Sequence, residues 1–224
     1  MFRITKIFII LAVALALLPI ENVNAITRTT RTFNFVEFYA GSSMPQGTYT
    51  GLPDFDFIIN GSLVDVDAED VYDNSFHLGF GYGRLRGSHL LYSLGFKYTK
   101  HDVLDSIPLT PTAYAVSPFT YNQYDLDFDL NYMLTDISKS SFSPYVGAGV
   151  QAGLLTISSD GFETESEATL SLSINFGGDM KIWSAGDGRS FITLSSANSY
   201  DFYGSNQKPK YLNLGFGFRY FFRP

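Results

Sequence analysis

The sequence contains no cysteine, which excludes a disulfide framework and a thiolate metal site and leaves strand pairing and packing to hold the fold. It also lacks any apolar run of ~20 residues, the length a membrane-spanning helix needs. The nearest approach is residues 7–18, preceded by Arg3 and Lys6 and followed by the small-residue exit Val23-Asn24-Ala25. That order of charge, apolar run and small residues is a secretory signal, with cleavage expected after Ala25. Residues 1–25 are set apart on this ground, and residues 26–224 are expected to form one domain. Basic residues are scarce: 15 Lys and Arg stand against 22 Asp and Glu, a net charge of −7 that disfavours nucleic acid as a partner. Tryptophan occurs once, whereas Tyr and Phe number 15 and 21, so the aromatic content lies in residues that favour strands.

What the chain does have is period two. Within residues 124–134, Tyr124, Leu126, Phe128, Leu130, Tyr132 and Leu134 alternate with Asp125, Asp127, Asp129, Asn131 and Met133. This spacing predicts a strand long enough to cross a tilted barrel wall. The last segment repeats it, with Leu212, Leu214, Phe216, Phe218, Tyr220 and Phe222 on one face and Asn213, Gly215, Gly217 and Arg219 on the other. Residues 76–82, 90–98, 146–154 and 170–176 follow the same rule. Residues 33–40 and 191–197 alternate more weakly and complete eight antiparallel strands. Short connections at 84–88, 135–143 and 183–189 are interleaved with long ones at 42–73, 101–120, 156–167 and about 199–209. Tight periplasmic turns and long outer loops give a transmembrane barrel this rhythm, and an even strand count puts both termini in the periplasm.

Alternation alone does not say whether the apolar face meets lipid or a soluble core. The opposite face decides, because it carries Gly79, Gly81, Gly83, Gly95, Gly147, Gly149, Gly215 and Gly217. Glycine weakens a strand facing water but suits the crowded interior of a small barrel. Residues 54–68 leave one ambiguity. Asn60-Gly61 joins two alternating arms, a strong hairpin signal, and an outer hairpin is preferred over a barrel of ten strands because the arms fall short of ~9–11 residues.

On the strand rhythm, on Phe80-Gly81-Tyr82-Gly83 and Val146-Gly147-Ala148-Gly149, and on the closing run from Leu214 to Phe222, the chain resembles the OmpA/OmpX-like family of eight-stranded outer-membrane barrels. The resemblance covers nearly all of residues 26–224. It implies residence in the bacterial outer membrane among outer-membrane lipids and lipopolysaccharide. It also implies that the barrel-assembly machinery reads the last strand, with Phe218, Tyr220 and Phe222 as the aromatic signal. Arg223 and Pro224 follow those aromatics, a departure from a terminal aromatic.

The candidate site is the lumen. Lys97 is expected beside the row Asp125, Asp127 and Asp129, and Arg219 beside Glu37, because a buried charge without a partner is very costly. These residues read as interior ion pairs that plug the barrel, with a gate or proton path as the alternative. No catalytic, cofactor-binding or metal-ligating residue is singled out. His77, His89 and His101 lack the His-x-Ser pair of lipid A deacylases, and His101-Asp102 is only a loose match to the surface proteases called omptins. Acidic runs at Asp65, Asp67, Glu69, Asp70 and Asp73 and at Asp160, Glu163, Glu165 and Glu167 read as solvated loops without the spacing of a Ca²⁺ loop. Arg84, Arg86, Lys181 and Arg189 mark the short turns instead. The leading expectation is a structural or surface-interaction barrel that is not an enzyme. Its rivals are a narrow porin-like channel, a barrel enzyme acting on lipid or peptide, and a soluble ligand carrier.

Overall fold

All eight alternating segments form strands, and each extends past its alternating stretch at one end or both, although Leu134 falls just beyond the end of its strand. The computed structural model describes residues 32–223 apart from 53–54, 74, 117–118, 160–164, 186–187 and 204–210; the expected signal segment, with its boundary after Ala25, lies outside the described residues. The strands are β1 (Thr32–Pro45), β2 (Ser75–Arg86), β3 (Leu90–Asp102), β4 (Phe119–Met133), β5 (Phe142–Ser159), β6 (Glu165–Ala185), β7 (Gly188–Tyr203) and β8 (Tyr211–Phe222). Each pairs antiparallel with its neighbours in sequence, and β1 also pairs with β8, from Asn34 against Phe222 to Pro45 against Tyr211. The sheet is therefore a closed barrel of eight strands, and closure removes the unpaired edges that an open sheet would expose in hydrocarbon.

The side chains are distributed inside out. Phe38, Phe80, Leu94, Leu130, Leu172, Ile174, Phe176, Phe216 and Phe218 are exposed on the outer wall. Lys97, Asp125, Asp127, Asp179 and Arg219 are buried within it. An apolar band all round a barrel with its charges inside has no stable arrangement in water and matches a wall set in lipid. Tyr82, Tyr132 and Trp183 are exposed towards the short-turn end and Tyr124 towards the long-loop end, where amphipathic rings meet the membrane interfaces.

The inward positions stack in three layers, visible along β1 alone. At the short-turn end Phe33 and Phe35 join Leu85, Leu91, Met133, Ile137, Tyr145, Phe191 and Phe221 in an apolar plug. Next come Glu37 and Tyr39, in the polar middle layer. Past the strand's end, Tyr49 joins Phe57, Val66, Val71, Tyr72, Val103, Ile107, Tyr121 and Leu155 in a second apolar cluster. This outer cluster is built mainly from the first two long loops, which pack on Tyr121 of β4 and Leu155 of β5. They are tied together where Asp73 N donates to Asp102 O at 2.9 Å, Leu104 N donates to Val71 O at 3.0 Å, and Tyr72 bridges to Val103.

The Asn60-Gly61 turn forms, with positive φ of 52° and 79°. Its hairpin, however, pairs only Ile58 with Leu63 and Ile59 with Ser62, so the ten-strand alternative is excluded. One further bond, Val64 N donating to Phe57 O at 2.8 Å, extends the hairpin, and the expected arms then part because Gly51–Leu52 takes Phe55–Asp56 and Thr48–Tyr49 takes Val66–Asp67. Folding back in this way lets Phe57 and Val66 reach the outer cluster.

Candidate functional site

The middle layer begins with side-chain volume. Large inward residues stand opposite glycines across the strand pairs: Glu37 faces Gly81, Tyr39 faces Gly79, Asp125 faces Gly153, Asp129 faces Gly149 and Asn131 faces Gly147. A Cβ added at Gly147, Gly149 or Gly153 would stand 2.1 Å from the facing carboxylate or amide oxygen. Glycine in these strands is thus the space in which the polar side chains lie.

Two ion clusters occupy that space. Lys97 Nζ sits 3.3 Å from Asp125 Oδ2, on directly paired positions of β3 and β4, and Gln123 Nε2 donates to the same carboxylate at 3.0 Å. Arg219 spans three strands. Its Nε and Nη2 donate to Glu37 Oε2 at 2.9 and 2.6 Å, and Nη1 donates to Asp179 Oδ2 at 2.5 Å. The guanidinium also lies over the Phe35 ring at 5.1 Å, so the ion cluster rests on the apolar plug.

Sequence reasoning put Lys97 beside all three aspartates, and the structure divides them. Asp125 takes the ammonium, Asp127 accepts from Tyr39 Oη at 3.3 Å, and Asp129 accepts from Asn175 Nδ2 at 2.7 Å. It also missed Asp179, the second carboxylate on Arg219. Asp179 lies on an inward position of β6 after Gly177-Gly178, outside the stretch that alternates. Its partner Thr193, donating at 2.9 Å, lies on the weakly patterned β7. The weak alternation of β1 and β7 has one cause: Phe33, Phe35 and Phe191 point inward into the plug while the polar Thr32, Asn34 and Ser190 take outward positions beside them, so the apolar side of the pattern changes face near that end.

Glu37, Asp127, Asp129, Lys97 and Arg219 line a central cavity of about 100 Å³ together with His77, Asn131, Gln151 and Asn175. Asp127 Oδ1 and Asn131 Oδ1 are buried there without a protein partner. A cavity of this size and polarity has room for several waters. Among the described lumen residues, Glu37, Asp125, Asp127, Asp129 and Asp179 outnumber Lys97 and Arg219, and Asp127 and Asp129 have no direct cation partner among the described salt bridges.

The histidines are part of the architecture. His77 Nδ1 lies 3.2 Å from Ser43 Oγ and His101 Nδ1 lies 3.1 Å from Ser75 Oγ. All four residues are buried, and His101 is stacked on Tyr211 at 4.1 Å beneath the loop cap. Among the described residues no carboxylate is bonded to either ring, and neither serine faces solvent, so these pairs lack the orienting group and the access that a nucleophile needs. His101 and Asp102 point to opposite sides of β3, and Asp102 pairs outside with Lys100 at 2.8 Å, so they form no dyad. His89, in the turn before β3, stacks on Tyr132 at 5.5 Å. Asp65, Asp67, Glu69 and Asp70 are exposed on the first loop, whereas Asp160 and Glu163 lie outside the described residues, as does the Glu165 side chain. Among the described residues no cluster of His, Asp and Glu is arranged to hold a metal ion.

Phe218, Tyr220 and Phe222 occupy successive outward positions of the closing strand, with Tyr220 and Phe222 stacked at 6.1 Å. The turn between β4 and β5 is fastened by Asp136, which accepts from both the Ser138 N–H and hydroxyl at 2.9 and 2.6 Å. Slight burial would raise the Asp136 carboxyl, but these hydrogen bonds and Lys139 hold it below the usual range.

No family model matches the chain, and no curated protein matches it. Solved structures do. The chain is similar to outer membrane protein OprG from Pseudomonas aeruginosa, with 14% identity and a TM-score of 0.56 over 89% of this chain and 100% of that one. It is similar to Neisserial surface protein A, with 13% identity and a TM-score of 0.52 over 84% of this chain and 95% of that one. At such identity the likeness concerns architecture, and it agrees with the closed ring, the apolar outer band and the polar lumen. The chain has the fold of the small eight-stranded outer-membrane β-barrels, consistent with the OmpA/OmpX-like kind.

Proposed function

We propose that this protein resides in the bacterial outer membrane as a sealed barrel whose work is done by its outer loops, in contact with lipopolysaccharide or with surfaces outside the cell. The observation that carries this reading is closure at both ends. Phe33, Phe35, Leu91, Met133 and Phe221 fill the short-turn end, and Phe57, Val71, Tyr72, Val103 and Ile107 roof the other. An eight-stranded interior is just filled by side chains, so the cavity between these clusters is a chamber rather than a conduit. Among the described residues, Ile58 and Leu63 at one loop tip and Tyr114 at another are exposed apolar groups of the outer loops available for contact. The barrel-assembly machinery would engage β8 through Phe218, Tyr220 and Phe222. No enzymatic step is assigned, since the buried Ser–His pairs have neither orienter nor access.

The native sequence is free of cysteine, which makes site-directed labelling a clean test. Leu63→Cys should react with a membrane-impermeant maleimide on intact cells, whereas Lys139→Cys, on a short turn, should react only after the outer membrane is opened. Labelling of Lys139→Cys alone on intact cells would invert the topology and remove the loops from the surface.

A further inference from the structure

The outward side chains near the short-turn end of the seam between β8, β1 and β2 form a slot with a small floor and large flanks. Val36 pairs with Tyr220 on one side and Tyr82 on the other, and Asn34 pairs with Phe222 and Arg84. Above the slot lies Phe38, 61% exposed on the lipid-facing wall. Below it Thr32 pairs with Arg86. Along β2 the outward row reads Phe76, Leu78, Phe80, Tyr82, Arg84, Arg86, so two guanidinium groups succeed the aromatic level directly. Arg84 is held in place: its Nε donates to Asn34 Oδ1 at 3.0 Å, and Asn34 is only 7% exposed although it points outward. Arg84 thus lies across the slot floor as a preset guanidinium. None of the outward residues of these strands from Phe38, Phe80 and Phe218 to the rim is acidic, although the chain as a whole is acidic.

We infer that this slot binds the headgroup phosphate of an anionic phospholipid of the inner leaflet, with Arg84 as the principal ligand, Arg86 beside it and the acyl chains running up the wall over Val36 and Phe38. The inference rests on the membrane placement proposed above. A guanidinium matches a phosphodiester because its planar N–H groups meet two oxygens at once. Tyr82 and Tyr220 stand at the interface, where their hydroxyls meet headgroups and their rings meet chains. The negative charge of a phosphatidylglycerol headgroup complements a face whose charged residues are all basic, which a zwitterionic lipid does not do as well.

Native mass spectrometry of the folded protein with equimolar phosphatidylglycerol and phosphatidylcholine of matched chains tests this. The wild type should retain phosphatidylglycerol in excess. Arg84→Gln with Arg86→Gln should lower the ratio by about fivefold per guanidinium, the factor equivalent to about 1 kcal/mol for a basic residue at an anionic surface. Arg84→Lys, which keeps the charge and loses the planar fork, should fall between. Lys139→Gln, on a different turn and with its side chain 85% exposed, should leave the ratio unchanged. Parity of the two lipids in the wild type overturns the slot, and so does an equal drop in the Lys139 variant, which would mean diffuse attraction. Failure of the wild type to enter vesicles would sink the membrane placement itself, whereas parity in inserted protein sinks only the slot.

Discussion

Arg219→Met removes a cation that holds two carboxylates in the lumen, and its cost can be worked from the contacts. The side chains of Glu37 and Asp179 are 14% and 0% exposed, so neither can turn to bulk water when the guanidinium leaves. Breaking a buried pair by deleting one partner costs about 3–5 kcal/mol, against about 0–1 for an exposed pair. Two features moderate the loss here. Thr193 still donates to Asp179, and the cavity beside Glu37 admits water. A destabilisation near 3 kcal/mol is expected, the lower end of the buried range. Adding Glu37→Gln and Asp179→Asn removes the stranded charges and should restore most of it, since buried ion clusters replaced as a whole are often neutral in stability. Urea unfolding in lipid vesicles, followed by the mobility of unboiled protein on gels, reads each variant. A loss below about 1 kcal/mol for Arg219→Met would place the cluster among exposed pairs, and absent recovery in the triple variant would show that charge is not the cause.

Lys97→Met should destabilise and Asp125→Asn should recover part of the loss, with a coupling of about 0.5–3 kcal/mol in the same assay; zero coupling would separate residues that the structure joins. Phe128→Arg on the lipid face should cost roughly 2–4 kcal/mol near the midplane, while Asp127→Asn inside should be mild, and reversed sensitivities would turn the wall inside out. Gly83→Ala should cost about 1–3 kcal/mol by overpacking, because its Cβ would stand 2.3 Å from both the Phe35 ring and the Tyr92 carbonyl; an unchanged urea midpoint would refute the lumen packing. The lowered Asp136 carboxyl stabilises the turn above the ordinary carboxyl value of about 3.9 and loses that contribution as pH falls through its own lower value. The gap between wild type and Asp136→Asn should therefore be open at pH 7 and close on acidification, and a gap that widened in acid would reverse the assignment.

The strands were legible wherever a central stretch sets an apolar face against a small or polar one, as from Tyr124 to Asn131 on β4. Antiparallel neighbours in a barrel are also neighbours in sequence, so strand order followed, and the pairings of Lys97 with Asp125 and of Glu37 with Arg219 came with it. Plug and roof were not legible. Phe33, Phe35 and Phe191 sit on inward positions and blur period two, and Phe57, Tyr72 and Ile107 belong to loops whose core depends on contacts between distant segments. Asp179 escaped notice because it follows Gly177-Gly178, past the alternating stretch of β6, where nothing local distinguishes an inward carboxylate from a solvated one. The seam slot needed the closing register of β1 against both β8 and β2, which no single segment encodes.

Conductance of the folded protein in planar bilayers tests the sealed barrel most directly. With Phe35, Leu91, Met133 and Phe221 closing one end and Phe57, Val71, Tyr72 and Ile107 the other, the wild type should pass no steady current at any applied voltage that leaves the bilayer intact. Reproducible unitary currents from protein that is fully folded by gel mobility would contradict the account and make the central cavity part of a pore.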